Sequence, residues 1–186
     1  VLSRWDPTGG DFPLLGITFD VKLTMEAEVT TLVGECSWRV TQLLSAGSIF
    51  NVEHLVLLYK QQILSYLEYR TAAVYHAADT VLQPLDAAQR RVVKAAGMTE
   101  FEALMVSRLA PLGTRRDIAM LGILHRQVLG LGAKALNTLV ALSTSRPQRQ
   151  ARLGANRHKL QLTSKLEASA PDYLRRSIVG AIEIYN

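Results

Sequence analysis

Apolar positions along the chain change period near its start. After the turn-forming run Asp6-Pro7-Thr8-Gly9-Gly10, the residues Leu15, Ile17 and Phe19 alternate with Gly16 and Thr18 at the two-residue period of a strand. A β-hairpin over residues 1–22 is expected, with residues 1–5 as its other arm. From there the period lengthens to that of a helix. Thr24 is placed to cap a helix carrying Val29, Leu32, Val33, Cys36, Val40, Leu43 and Leu44, with Gly47 as its stop. Asn51 is placed to cap a long helix to about residue 77, striped by Val52, Leu55, Val56, Tyr59, Ile63, Tyr66 and Leu67. Leu57, Leu58 and Leu64 fall off that stripe, which implies packing on more than one side.

The next pattern, residues 79–97, points Leu82, Leu85, Val92, Val93 and Ala96 inward and tolerates Pro84 in its first turn. Thr99 and Glu102 form a capping box for a short helix to about Arg108. Thr114 then caps a helix carrying Ile118, Leu121, His125, Val128 and Leu129, and Gly130 and Gly132 precede a last short helix over residues 133–142. A polar stretch follows, and a helical pattern returns through Leu174, Ile178, Ile182 and Tyr185 with no cap at Asn186, as in a truncated chain. The predicted fold is mainly α: a helical bundle with a short N-terminal β-hairpin and a basic extended arm before a C-terminal helix. Its expected parts are the hairpin 1–22, a helical domain 23–142, a basic linker or arm 143–170 and a C-terminal helix 171–186.

Composition agrees with helix-on-helix packing, since 48% of the 186 residues are hydrophobic and only 6% aromatic. One cysteine, Cys36, excludes an internal disulfide and suits a reducing compartment or indifference to redox. No apolar run approaches the roughly 20 residues that span a bilayer, so no membrane insertion is expected. The chain opens at Val1 with no cleavable leader, as a processed or excised chain would. Its charge is partitioned, with a net −4 over residues 1–36 and +9 over the remainder. Residues 118–166 contain no Asp or Glu but carry Arg126, Lys134, Arg146, Arg149, Arg152, Arg157, Lys159 and Lys165, a stretch that attracts polyanions.

A search for reactive chemistry finds little. Gly130-Leu131-Gly132-Ala133-Lys134-Ala135 has the letters of a dinucleotide fingerprint, but it follows a helix and lacks the βαβ unit that would cradle a phosphate. A helix-to-helix turn explains it. His54, His76, His125 and His158 lack the spacing of a metal pair on one helix face. No two acids are adjacent, and no P-loop or nucleophile elbow is present. His125 lies on an apolar helix face and is expected to be a hydrogen-bonded core or boundary residue. Neither enzyme activity, metal nor cofactor is expected.

Other residues point to binding. Arg115 and Arg116 fall in the first turn of a predicted helix, where the helix dipole disfavours cations. Either a bound phosphate compensates or an internal carboxylate does, from Asp117 beside them or from the acidic first helix. Arg90, Arg91 and Lys94 project opposite the apolar stripe of their helix, suited to phosphate contacts or to a solvated face. Arg146, Arg149, Arg152, Arg157 and Lys159 extend the basic surface along the arm. Trp38 lies about 180° from the apolar stripe of its helix and calls for a partner, either a base or ribose to stack on or, more commonly, a neighbouring helix. Arg70 sits at the centre of the long helix's stripe, where a buried guanidinium requires a carboxylate or carbonyls.

Several stretches together resemble the region after the catalytic palm in reverse transcriptases of non-LTR (LINE-type) retrotransposons. Phe12-Pro13-Leu14-Leu15-Gly16-Ile17-Thr18-Phe19-Asp20 resembles the primer-grip strand, and Leu23-Thr24-Met25 the start of the first thumb helix. Pro84-Leu85-Asp86-Ala87-Ala88-Gln89-Arg90-Arg91 with Gly97 resembles a recurrent post-polymerase helix, and Leu109-Ala110-Pro111-Leu112 with Arg115-Arg116-Asp117-Ile118-Ala119-Met120-Leu121-Gly122 a second. Leu174-Arg175-Arg176-Ser177 and Ile184-Tyr185-Asn186 resemble the stretch that closes the region. The resemblance implies a grip on the backbone of a primer–template duplex, with Gly16, Thr18 and Trp38 as contacts. Nucleic acid, as RNA or an RNA–DNA duplex, is thus the expected partner, beside protein partners in a larger assembly.

The family's Phe/Tyr-x-Asp-Asp motif and its late Cys/His knuckle have no counterpart here, and residues 1–36 are acidic for a duplex grip. An excised or domesticated fragment fits these departures. The resemblance therefore implies a non-catalytic nucleic-acid-binding module for RNA or a ribonucleoprotein. The alternatives are a recruited structural subunit of a larger complex and a fragment of a full-length reverse transcriptase. The setting would be intracellular, nuclear for a retroelement product and organellar for a domesticated one.

Overall fold

The computed structural model describes residues 10–47, 49–142, 160–164 and 177–186, and the chain is mainly helical with a two-stranded antiparallel hairpin near its start. It divides into two compact units, residues 1–116 and 117–186.

The first unit opens with β1 (Phe12–Leu14) and β2 (Ile17–Phe19), paired Phe12 to Phe19 and Leu14 to Ile17. Their connection is Leu15-Gly16, both at positive φ (51° and 76°), the two-residue turn that matches strand twist. The expected turn at residues 6–10 is therefore not the hairpin's, and the expected arm at residues 1–5 lies outside the described residues. Phe12 and Phe19 stack with centroids 5.3 Å apart.

Helix α1 (Glu26–Ser45) buries Val29, Leu32, Cys36, Val40 and Leu43, as its period predicted. Thr24 is not the residue at the cap position, but its hydroxyl accepts the Glu26 N–H at 3.4 Å. The residue before the helix is Met25, buried and left-handed at φ 59°, and the Asp20 carboxylate holds the approach by accepting the N–H groups of Thr24 (2.9 Å) and Met25 (2.7 Å).

The long helix predicted after Asn51 is real in outline but broken in detail. Asn51 accepts from His54 N–H at 2.8 Å and starts α2 (Val52–Tyr59). A π turn over Lys60–Leu64 follows, then α3 (Ser65–Tyr69) and α4 (Thr71–Val74). The extra residue in the π turn shifts the register, so that Ile63 and Leu64 are both buried. Val52, expected inward, is exposed.

Helix α5 (Asp79–Ala95) packs on α1 and buries Leu82, Leu85, Val92 and Val93, together with Ala88 and Gln89. Pro84 is its sixth residue and so lies in the second turn, not the first. Thr99 and Glu102 close the expected capping box on α6 (Glu100–Met105).

Helix α7 (Leu112–Val128) starts two residues before Thr114, as the bond from Arg115 N–H to the Pro111 carbonyl at 3.0 Å requires. Its buried residues are Leu112, Leu124 and Gln127, while Ile118 and Leu129 are exposed, so the predicted inward face is rotated. The core of the first unit runs from Ile17 and Met25 to Leu109 and Leu112.

In the second unit Gly130, at φ 72°, ends α7. The helix predicted at 133–142 is instead a 3-10 turn (Lys134–Thr138) leading into β3 (Val140–Leu142). β3 pairs antiparallel with β4 (Leu162–Ser164), part of the segment expected to be a linker. Helix α8 (Ile178–Tyr185) buries Ala181 and Ile182, and the Asn186 side chain pairs with both backbone groups of Leu162 at 2.8 and 2.9 Å.

Candidate nucleic-acid interface

A rotation of 100° per residue places the basic residues of α5 relative to its core face. Leu85, Gln89 and Val92 point inward, and Arg90, Arg91 and Lys94 fall in one exposed arc on the far side. Arg91 Nη2 donates to the Thr41 hydroxyl of α1 at 3.3 Å. Among the described residues none of these three cations is ion-paired.

The same rotation orients α1. Thr41 and Trp38 share its solvent side, one turn apart, and Trp38 is 65% exposed. The Thr30, Thr31, Thr41 and Ser45 hydroxyls each donate to the carbonyl four residues back, at 2.8, 3.1, 2.8 and 2.8 Å. Three charged residues of α1 are engaged with other groups. Glu28 is buried, Glu35 accepts from the Tyr66 hydroxyl, and the Arg39 guanidinium lies 4.2 Å from the Tyr66 ring centroid.

Arg115 and Arg116 sit one turn deeper in α7 than predicted, with the Arg115 N–H already bonded inside the helix. The Arg115 N–H is therefore not free to share a phosphate with its own guanidinium. Internal carboxylates meet them. Arg115 Nε donates to Glu68 at 2.6 Å, and Arg116 makes a two-pronged pair with Asp86 at 3.1 and 3.3 Å. The cleft beneath them, lined by Leu32, Leu67, Val74, Leu85 and Leu112, has about 20 Å³, room for one water and no larger ligand.

Arg146, Arg149, Arg152, Arg157 and Lys159 lie outside the described residues. Of the residues that the family resemblance would bring to a duplex, Gly16 offers its carbonyl to Arg70 at 3.2 Å and Thr18 its N–H to Glu28 at 2.9 Å. Arg70 meets Glu28 at 2.9 Å, the buried carboxylate pairing its position demanded.

Burial pushes the Cys36 thiol up to about 11, so it is neither thiolate nor nucleophile at neutral pH. Burial likewise raises the Tyr59 hydroxyl, which donates to Gln89 Oε1 at 3.1 Å, while Gln89 Nε2 donates to the Ala110 carbonyl at 2.9 Å. His125 is exposed, not part of an apolar face, and its Nδ1 is 3.0 Å from the Tyr185 hydroxyl.

One surface went unread in the sequence. Phe101, Leu104, Met105 and Val106 are 71%, 43%, 63% and 79% exposed, opposite the buried Ala103. The signal was the i, i+3, i+4 spacing of the first three on a short helix with only Ala103 facing inward. Among the described residues no three of His, Cys, Asp and Glu gather, and no helix is long and apolar enough to cross a membrane.

No family model, curated protein or solved structure matches the chain.

Proposed function

We propose that the chain is a non-catalytic nucleic-acid-binding helical module, acting on RNA or a ribonucleoprotein, of the kind found in the thumb region of non-LTR reverse transcriptases. The observation that carries this reading is a contrast among cations. Arg70, Arg115 and Arg116 each meet a carboxylate, whereas Arg90, Arg91 and Lys94 stand in one exposed arc of α5 with no acid against them. Uncompensated cations in a row create a local positive potential, and a phosphate backbone is the polyanion that fits its length. The acid-free stretch 118–166 adds charge of the same sign.

Titration with RNA at low and moderate salt tests the reading. Binding should weaken steeply with salt, and joint replacement of Arg90, Arg91 and Lys94 by Ala should lower the slope of log K against log salt by about 2. A slope unchanged by that triple replacement, or no binding at low salt, would remove the proposal.

A second reading, a structural subunit recruited into a larger complex, draws support from the exposed apolar side chains of Phe101, Leu104, Met105 and Val106. A contiguous apolar patch with a polar surround suits a protein partner.

A further inference from the structure

What Trp38 offers to a ligand depends on its neighbours along α1. One turn earlier, Gly34 carries no side chain, and no heavy atom stands within 4 Å of where its Cβ would be. Open space therefore lies beside the indole, enough for a planar ring to approach the helix. One turn later, Thr41 holds the Arg91 guanidinium at 3.3 Å. A cation is thus held at the position one helical turn along α1 from Trp38. Around them the solvent face presents Thr30, Thr31, Thr41 and Ser45 with their hydroxyl donors committed to the helix, and the carboxylate one turn before Trp38, Glu35, accepts from the Tyr66 hydroxyl.

An uncovered aromatic ring with a cation one turn away matches the two ends of one nucleotide. We infer that Trp38 is a stacking platform for an unpaired base and that Arg91, with Arg90 and Lys94 beside it, receives the adjoining phosphates. The inference rests on the nucleic-acid reading above and narrows it to single strands. In a duplex each base face is covered by its neighbours in the stack, so an internal base pair has no ring to offer an indole.

The test uses the whole chain and fluorescence anisotropy at low salt. The probes are an unstructured uridine-rich RNA strand, the corresponding thymidine-rich DNA strand, and an RNA duplex carrying as many phosphates. Both single strands should bind more tightly than the duplex. Trp38→Ala should weaken single-strand binding about tenfold or more and leave the duplex unaffected, while Trp38→Phe should retain most of the affinity. The indole is largely exposed, so both variants should fold, which far-ultraviolet circular dichroism checks.

Single-strand affinity unchanged by Trp38→Ala, or a duplex that binds more tightly than either strand, would overturn the inference and assign the exposed indole to a protein surface. If Trp38→Ala is silent while removal of Arg90, Arg91 and Lys94 still weakens binding, the proposed function stands and this inference alone falls. Absence of binding to all three probes would remove both.

Discussion

Glu28 is the residue on which the hairpin depends. It is buried on α1, and its two oxygens face different elements, one accepting Thr18 N–H from β2 and the other Arg70 Nε from the junction of α3 and α4. Arg70 continues the connection to the Gly16 carbonyl and lies 4.1 Å from the Tyr66 ring centroid. A charge pair this far from water contributes less than its Coulomb energy suggests, yet loss of one member strands the other. Glu28→Gln keeps the shape and an acceptor but removes the charge. It should lower the unfolding free energy by roughly 3 kcal/mol in denaturant titration, and amide exchange at Thr18 should accelerate. A variant as stable as the parent, with the same protection at Thr18, would show that the hairpin is held by other contacts. That Arg70 needed a carboxylate was legible from its place in an apolar stripe. Which carboxylate was not, because Glu28 lies 42 residues away and only tertiary packing brings them together.

At the scale of elements, legibility followed the length and purity of the periodic pattern. α1, α5 and the capping box of α6 stood out because many residues, or one specific local bond pair, agreed. The hairpin turn was misplaced because Leu15 adopts a positive φ that local preference disfavours, while Pro7 and Gly9-Gly10 advertised a turn more strongly. β3 was mistaken for helix because its partner β4 lies beyond a stretch with no strand pattern of its own. Two glycines near the end of α7 separate local preference from packing. Gly122 is exposed in the helix and its Cβ would meet nothing within 4 Å, whereas a Cβ on Gly132 would meet the Gln127 backbone at 2.8 Å. Gly122→Ala should therefore stabilise by about 0.5–1 kcal/mol, and Gly132→Ala should destabilise by about 1 kcal/mol or more. Thermal melts of the two variants should move in opposite directions. A shift of the same sign in both would mean that the turn after α7 yields readily.

For the whole molecule the question is which positive charge reaches a ligand. The sequence located the basic positions, and the arc of Arg90, Arg91 and Lys94 was legible because helical rotation alone opposes it to Leu85 and Val92. The commitment of Arg115 and Arg116 was not legible, since Glu68 and Asp86 lie 47 and 30 residues away on other helices. Of the cations proposed to contact nucleic acid, two sets then remain, the α5 arc and the sequence-defined set Arg146, Arg149, Arg152, Arg157 and Lys159. Counterion release lets them be weighed separately, because each single-strand phosphate neutralised contributes about 0.7 to the slope of log K against log salt. If both sets hold one strand, neutralising the arc should lower the slope by about 2 and neutralising the downstream set by about 3 to 4, and the two losses should add. Salt titrations of the two variants and their combination measure this directly. A slope unmoved by the downstream replacements would confine binding to the arc, and the acid-free stretch would then serve some purpose other than holding phosphates.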